Sequence, residues 1–263
     1  MTTPPDPGPE PPPDSQLPDP SSDHYMHLKG ANSMGTAAAR ETEYWVNEAV
    51  SHQAMILIHG HVGLGKTFAT HAALRKAAPD TTLRLPFRQA PKMSEIRGAL
   101  RRALALPGEP PASADLHDHQ IRQALAAGFH VLLLDEVQWL SATALDYFRA
   151  LWDDETIPLT VVFVGSGNTR QKVLNQRALH SRIYDWQQFS PLTTEEVLTT
   201  IPVYHPLWAT TDSDLLLFTN DHGGHGAFRN WAKITFHLQE VLQRDPDRTL
   251  NKDLIRWVLS RLG

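Results

Sequence analysis

The sequence predicts an α/β fold in which a parallel sheet is covered by helices on both faces and is followed by a small helical domain. Between residues 55 and 189, short apolar segments of strand type alternate with longer segments of helical periodicity. Such alternation is typical of parallel sheets with helices on both faces. After about residue 191 the pattern is helical only, and a glycine-rich motif separates the first strand from the next helix.

The predicted elements follow the chain in order. A first helix covers 36–50, with Thr36 as its candidate cap. Strand patterns cover 55–58, 81–87, 129–134, 159–164 and 182–189, and the helical patterns between them cover 67–76, 94–106, 117–127 and 142–152. Thr193 and Glu196 have the spacing of a capping box, and further helices are expected near 212–220, 226–243 and 251–262. We therefore expect an α/β domain over 25–190 and a helical lid domain over 191–263.

Residues 1–24 differ from the rest in composition. They contain nine of the 20 prolines and five acidic residues without Lys or Arg. Such a segment buries too little apolar surface to offset the entropy of ordering, so we predict a disordered tail. An interaction motif within the tail is the alternative. The remaining residues have 24 acids against 24 Lys and Arg, so the net charge of −5 gives no argument against nucleic-acid binding.

Composition also limits the chemistry and the location of the protein. The sequence has no cysteine, which excludes disulfides and thiolate metal sites. Its apolar runs are far shorter than the roughly 20 residues of a membrane helix, and its first residues lack the pattern of a signal peptide. We therefore expect a cytoplasmic protein with no membrane partner.

A phosphate-binding motif follows the first predicted strand. Residues 60–67 read G-H-V-G-L-G-K-T and match G-x-x-x-x-G-K-[ST] in full. In such a loop, backbone amides cradle phosphates at the start of a helix, whose dipole adds to the attraction. Lys66 is expected on the β- and γ-phosphates and Thr67 on Mg²⁺. The expected nucleotide-binding residues are Gly60, His61, Val62, Gly63, Leu64, Gly65, Lys66, Thr67 and Phe68.

Two carboxylates follow the apolar strand at 131–134. Asp135 at the carboxyl end of this strand is expected to hold the magnesium ion, and it counts as a nucleotide-site residue for that reason. Glu136 beside it is expected to polarise the attacking water as general base. Taken alone, the pair also fits an ordinary Asp-Glu turn, and the phosphate-binding motif favours the catalytic interpretation.

The next strand ends in G-S-G-N168, where a polar side chain could hydrogen-bond the γ-phosphate or its attacking water. The order of phosphate-binding loop, Asp-Glu strand, strand ending in Asn, downstream arginine and helical lid resembles the AAA+ P-loop ATPases. This resemblance implies that Asn168 is a sensor residue, Arg182 the arginine that acts in a neighbouring subunit's site, and Arg229 the lid arginine at the nucleotide. It also implies ATP as the nucleotide and a homo-oligomer. Asn168 capping a turn, Arg177 in the place of Arg182, and Arg229 in a salt bridge are the alternatives.

The motifs I-L-I-H-G-H-V-G-L-G-K-T, L-L-L-D-E-V-Q and F-V-G-S-G-N further resemble the bacterial transposition ATPases of the TniB, TnsC and MuB kind. That resemblance implies assembly on double-stranded DNA and regulation of a partner transposase. A basic segment after the second strand agrees with DNA binding, although it also fits a solvated helix face. An ATPase of secretion or envelope assembly, like the ExeA kind, and a nucleotide-gated switch without hydrolysis are the alternatives. The expected DNA contacts are Arg84, Arg88, Lys92, Arg97, Arg101 and Arg102.

Overall fold

The structure is a computed structural model that describes residues 16–19, 28–85, 87 and 89–262. The described chain forms two compact units. The first contains Thr42–His59 and Thr70–Gln188, together with the described residues up to Pro18. The second contains the described residues of Asp19–Glu41, Gly60–Ala69 and the chain from Phe189 onwards.

The first unit is built on a five-stranded parallel sheet, which confirms the predicted fold class. Its strands lie in the order β2-β3-β4-β1-β5, and the β2–β3, β3–β4 and β1–β4 pairs have parallel registers. All seven residues of β4 are buried, as expected for a strand covered on both faces. The strand bounds are β1 Met55–Gly60, β2 Thr82–Leu85, β3 His130–Leu134, β4 Leu159–Gly165 and β5 Ile183–Phe189.

Helices alternate with these strands along the chain. The predicted cap is confirmed at the first of them, where Thr36 Oγ1 accepts a hydrogen bond from the Ala39 amide at 3.2 Å. Apolar side chains form one cluster between the sheet and the helices around it. The cluster includes Leu100, Leu132 and Phe148. The helices are α1 Ala37–His52, α2 Lys66–Ala77, α3 Met93–Ala103, α4 Ala114–Ala126, α5 Ala142–Trp152, α6 Thr169–Leu174 and α7 Arg177–His180.

The second unit has a helical core of its own. Trp208 and Trp231 pack edge to face with ring centroids 5.1 Å apart, and the Trp208 indole donates to Thr235 Oγ1 at 2.8 Å. The capping box predicted at Thr193 and Glu196 is present. Its helices are α8 Thr194–Tyr204, α9 Ser213–Thr219, α10 Phe228–Arg244 and α11 Lys252–Leu262.

The structure differs from the sequence predictions in a few elements. Helix α3 ends at Ala103 rather than at Leu106, because Ala105 has a positive φ of 49° before the Pro107 break. Two short helices between β4 and β5, α6 and α7, are additional. Of the predicted tail, residues 16–19 are described, and the Pro18 carbonyl accepts a hydrogen bond from Arg75 Nη2 at 2.6 Å. The remainder of the tail lies outside the described residues, and the boundaries at 25–190 and 191–263 stay predictions.

None of the helices in the described ranges is both long and apolar enough to cross a bilayer.

Candidate nucleotide site

The phosphate-binding loop takes backbone conformations that require glycine. Gly60, Gly63 and Gly65 have φ angles of +147°, +84° and +98°. A Cβ on Gly60 would lie only 2.4 Å from the carbonyl oxygen of Phe189. These glycines are therefore fixed by the path of the backbone, as expected for a loop whose amides must converge on a ligand.

Lys66 is the first residue of α2 and is buried within the loop, with 7% of its surface exposed. Its ammonium donates to the carbonyl oxygens of Gly60 at 3.0 Å and His61 at 2.7 Å. The ammonium is therefore held against the backbone of the loop rather than in solvent. The loop thus has a cation and a helix N-terminus at one end, an arrangement suited to polyphosphate.

The first turn of α10 packs on the same loop. The Arg229 amide donates to the Gly63 carbonyl at 3.0 Å, and a Cβ on Gly63 would lie 2.9 Å from the Arg229 Cβ. Phe228 lies against Gly65, at 3.7 Å from a Cβ built there. The structure therefore brings the predicted lid arginine and the phosphate-binding loop together in one unit, with the Arg229 side chain exposed. The neighbouring Phe228 and Phe189 carried no signal in the sequence.

Asp135 and Glu136 lie directly after β3 in the first unit. The Glu136 amide donates to Asp135 Oδ1 at 2.8 Å, and Glu136 adopts a left-handed conformation with φ 57° and ψ 40°. This conformation is unusual for a residue other than glycine, asparagine or aspartate. The Glu136 carboxylate is exposed and accepts a hydrogen bond from the side-chain amide of Gln138.

Asn168 follows β4 and is exposed at the N-terminal end of α6. Its side chain makes no capping hydrogen bond, so the structure does not support the alternative in which Asn168 caps this turn. The same loop begins with Ser166, whose amide donates to Gln138 Oε1 at 3.0 Å. The structure therefore joins Glu136, Gln138 and the Asn168 loop, a link that the sequence analysis missed although Gln138 stands in the Asp-Glu motif.

The two candidate trans-acting arginines have different surroundings. Arg182 pairs with Asp153 through its Nε and donates from Nη1 to the Ala178 carbonyl at 2.8 Å. Arg177, the first residue of α7, is exposed. The structure thus holds the predicted Arg182 in an ion pair within its own subunit.

The predicted DNA contacts separate into two groups. Arg97 forms two hydrogen bonds with the Asp118 carboxylate, at 2.9 and 3.0 Å. Arg101 is buried and donates to Gln120 Oε1 at 2.8 Å and to the Gly108 carbonyl at 3.0 Å. These guanidinium groups are engaged in contacts within the fold, and their binding to DNA phosphates stays a prediction.

The rest of the basic segment is arranged differently. Arg84 lies on β2, half-buried, in register with Leu133 of β3. Lys92 and Arg102 are exposed at the two ends of α3. Arg88 lies outside the described residues. Lys92 and Arg102 are therefore the described members of the predicted set that are exposed, and DNA binding by the set of six stays a prediction.

The donor atoms of the candidate magnesium site are oxygens. Across the described ranges, no three His, Cys, Asp or Glu side chains are grouped to bind a metal ion by themselves. Thr67 offers a hydroxyl and Asp135 a carboxylate, and hard oxygen ligands of this kind suit Mg²⁺, which is commonly held by one or two protein groups together with substrate phosphates. By its donor chemistry, each of these two residues suits a magnesium ion that binds together with a nucleotide.

Comparison with known proteins gives one family and a set of similar folds. Residues 48–173 match the family described as an AAA domain. None of the curated proteins matches the sequence. The Aeropyrum pernix ORC2 protein, in its ADPNP-ADP complexes, has a TM-score of 0.63 at 18% identity, covering 88% of this chain and 69% of that one.

Two further structures have the same fold. Cdc6p from Pyrobaculum aerophilum has a TM-score of 0.69 at 15% identity, covering 88% of this chain and 68% of its own. The Aeropyrum pernix ORC1 protein in complex with DNA has a TM-score of 0.67 at 14% identity, covering 90% and 67%. By its AAA-domain match over residues 48–173, its sheet order and its phosphate-binding loop, the chain has the P-loop AAA+ fold.

Proposed function

We propose that the protein binds ATP with Mg²⁺ and hydrolyses it. The observation that carries this proposal is the buried Lys66 ammonium inside a loop of three positive-φ glycines at the start of α2. Backbone amides, a lysine and a helix N-terminus together stabilise the phosphates of a bound nucleotide. We propose adenine as the nucleobase because of the AAA-domain match, and not because of a sequence motif that recognises the nucleobase.

Each residue has a definite role in the proposed reaction. Lys66 would neutralise the β- and γ-phosphates, and Thr67 and Asp135 would hold a magnesium ion, which would offset the charge on the phosphates. Glu136 accepts a proton from the attacking water as its oxygen bonds to the γ-phosphorus, and the bond from phosphorus to the bridging oxygen breaks. ADP and inorganic phosphate leave. Asn168 orients the water, and Arg229 contacts the phosphates from the first turn of α10.

Nucleotide binding and turnover by three variants test this proposal. Lys66→Ala removes a charge-assisted contact and should weaken ATP affinity by about tenfold to a hundredfold. Glu136→Gln should retain ATP but lose most turnover. Lys76→Ala, on the same helix and 65% exposed, is the matched control and should change neither. Unchanged affinity in Lys66→Ala would sink the proposal, and binding without turnover in the wild type would instead indicate a nucleotide-gated switch.

We further propose that the ATP-bound protein assembles on double-stranded DNA and regulates a partner transposase. The motifs resemble those of transposition ATPases, and a protein of the same fold, the ORC1 protein, is in complex with DNA. Lys92 and Arg102 supply exposed positive charge on α3 for phosphate contacts. The cytoplasmic location remains a prediction.

Salt-dependent DNA binding tests the DNA arm of this proposal. Affinity for a duplex in the presence of a slowly hydrolysed ATP analogue should fall as salt rises, and each lost phosphate contact should reduce the slope of log K against log salt by about 0.9. We expect Lys92→Ala and Arg102→Ala each to reduce this slope. Arg244→Ala, an 80% exposed arginine on α10, is the control. A DNA affinity that is independent of ATP and salt would contradict this arm, and transposition assays with the partner enzyme test the remainder.

A further inference from the structure

The geometry of the Glu136 carboxylate depends on one side chain, Gln138. The Gln138 Nε2 donates to Glu136 Oε2, while Gln138 Oε1 accepts from the Ser166 amide at 3.0 Å and from Thr169 Oγ1 at 3.4 Å. Glu136 follows the end of β3, Ser166 follows the end of β4, and Thr169 is the first residue of α6. One amide therefore bridges the ends of two neighbouring strands.

The polarity of this bridge is fixed. A backbone N–H can only donate, so the Ser166 amide requires the oxygen of the Gln138 amide to face it. The NH₂ group of Gln138 then faces Glu136, whose ionised carboxylate can only accept. The two contacts can therefore form together only when the side chain carries a donor and an acceptor, as a carboxamide does, and is held in this one orientation.

The backbone around Gln138 is also held in place. The Trp139 amide donates to the Glu136 carbonyl at 2.9 Å, which closes a 3₁₀ turn after the left-handed Glu136. From α6, the Lys172 ammonium donates to the carbonyl oxygens of Gln138 and Leu140, the latter at 2.8 Å. Gln138 therefore has little freedom to turn away from Glu136.

We infer that Gln138 is a positioning residue, which orients the general base Glu136 and couples it to the β4–α6 segment that carries Asn168. This inference rests on the proposed ATP hydrolysis. A γ-phosphate that contacts Asn168 displaces or fixes this segment, and the Ser166–Gln138–Glu136 hydrogen bonds transmit the change to the carboxylate. The Glu136 carboxylate is then aligned with the attacking water when a γ-phosphate contacts this segment.

Steady-state hydrolysis by Gln138→Met tests the inference. Methionine has a similar length and removes both hydrogen bonds, so kcat should fall by about tenfold to a hundredfold, the effect of misplacing a catalytic group. Nucleotide Kd, KM and thermal midpoint should remain within about twofold and a few degrees of wild type, because the nucleotide contacts are retained. Gln171→Met, an exposed glutamine on α6, is the matched control and should be unaffected.

A pH profile of Gln138→Glu separates positioning from a merely structural role. A protonated carboxyl has one donor and one acceptor and can replace the carboxamide, whereas an ionised one repels Glu136. The Gln138 side chain contacts Glu136, the Lys172 ammonium donates to the Gln138 carbonyl, and Asp135 accepts from the Glu136 amide. One of two close carboxyls keeps its proton to higher pH. The kcat of Gln138→Glu, divided by the wild-type kcat at the same pH, should therefore rise as pH falls from about 8 to 6. In Gln138→Met the ratio should stay flat.

The outcomes separate this inference from the proposed function. Wild-type turnover that Glu136→Gln abolishes and Gln138→Met leaves within about twofold would overturn the inference alone. A Gln138→Met protein with lowered nucleotide affinity and thermal midpoint, together with no acid rescue in Gln138→Glu, would also overturn it, because that pattern indicates a structural role. Absence of wild-type turnover would overturn the proposed function and this inference together.

Discussion

Gly60 joins the end of β1 to the phosphate-binding loop, and a side chain there meets backbone rather than a movable group. Its φ is +147°, and a Cβ would lie 2.4 Å from the Phe189 carbonyl oxygen. Gly60→Ala should therefore lower the free energy of unfolding by about 1–3 kcal/mol and weaken ATP binding, since the loop must shift to relieve the clash. Chemical denaturation and nucleotide titration measure the two effects.

Gly128→Ala is the control for this change. Nothing lies within 4 Å of a Cβ at Gly128, so this variant should retain both stability and nucleotide affinity. If Gly60→Ala behaves like Gly128→Ala, the backbone of the loop is not constrained as described.

At single residues, sequence predicted what depends on local spacing and missed what depends on distant partners. Lys66 and the Asp135–Glu136 pair were predictable because a motif places them next to a strand end. The bond between Gln138 and Ser166 joins residues 28 positions apart, and the ion pair between Asp153 and Arg182 joins residues 29 apart. No short pattern records such contacts, and they alter the expected role of Arg182.

A polar cluster joins three helices of the first unit. Asp118 on α4 accepts two hydrogen bonds from Arg97 on α3 and one from the Tyr147 hydroxyl on α5 at 2.8 Å. Burial acts to raise the pKa of Asp118, but the hydrogen bonds from Arg97 and Tyr147 outweigh it and the pKa is lowered. The same burial and the bond to Asp118 raise the pKa of Tyr147.

Asp118→Asn should destabilise the protein in a pH-dependent way. The carboxylate keeps about a quarter of its surface exposed, at 25%, so we discount the loss to about 1–2 kcal/mol at neutral pH. Because the folded pKa is lowered, the stabilisation is present above the unfolded value near 3.9 and is lost as pH falls through the folded value. Urea unfolding at neutral and acidic pH should show the difference between wild type and variant shrinking in acid.

Asp253→Asn provides the comparison for Asp118→Asn. Asp253 pairs with Arg256 at 88% exposure, and its replacement should leave stability unchanged. A loss in Asp118→Asn that is the same at every pH would contradict the role of the ionised carboxylate.

Elements with strong periodicity were predicted well, and short polar ones were not. Helix α5 has the predicted bounds of 142–152, because buried Ala144, Leu145, Phe148 and Leu151 recur at helical spacing. Helices α6 and α7 have six and four residues, too few for a periodic pattern to be recognised. They are stabilised by contacts such as that of Lys172 with the 3₁₀ turn, which sequence does not reveal.

At the scale of the whole molecule, the fold class followed from the order of strands and helices, whereas the grouping of the phosphate-binding segment with later helices depends on contacts between residues far apart in sequence. The phosphate-binding segment Gly60–Ala69 clusters with the helices after Phe189, although it follows β1 directly in sequence. The close approaches of Gly60 to Phe189 and of Gly63 to Arg229 account for this grouping. A linear reading assigns residues to domains by neighbourhood along the chain, and such long-range approaches are invisible to it.

An arginine that acts in a neighbouring subunit's site must be available to that neighbour. Arg182 is held by Asp153, whereas Arg177 is exposed, so we expect Arg177 to act in trans. Arg177→Ala should lower kcat by on the order of a thousandfold with an unchanged thermal midpoint. Arg182→Ala should lower the thermal midpoint, because it breaks the ion pair with Asp153. Turnover assays and thermal unfolding of the two variants distinguish these effects.

Mixing two inactive proteins tests whether the arginine works across a subunit boundary. Glu136→Gln subunits retain Arg177, and Arg177→Ala subunits retain Glu136. In a head-to-tail assembly mixed at equal amounts, about a quarter of the sites combine an intact base with an intact neighbouring arginine. Mixing should therefore restore about a quarter of wild-type turnover. In the control, Lys66→Ala subunits replace the Arg177→Ala subunits as the partner with the intact base. Because their sites do not bind the nucleotide, turnover should not be restored. If mixtures stay as inactive as their components, Arg177 acts within its own subunit or has no catalytic role, and an obligate oligomer is no longer required for hydrolysis.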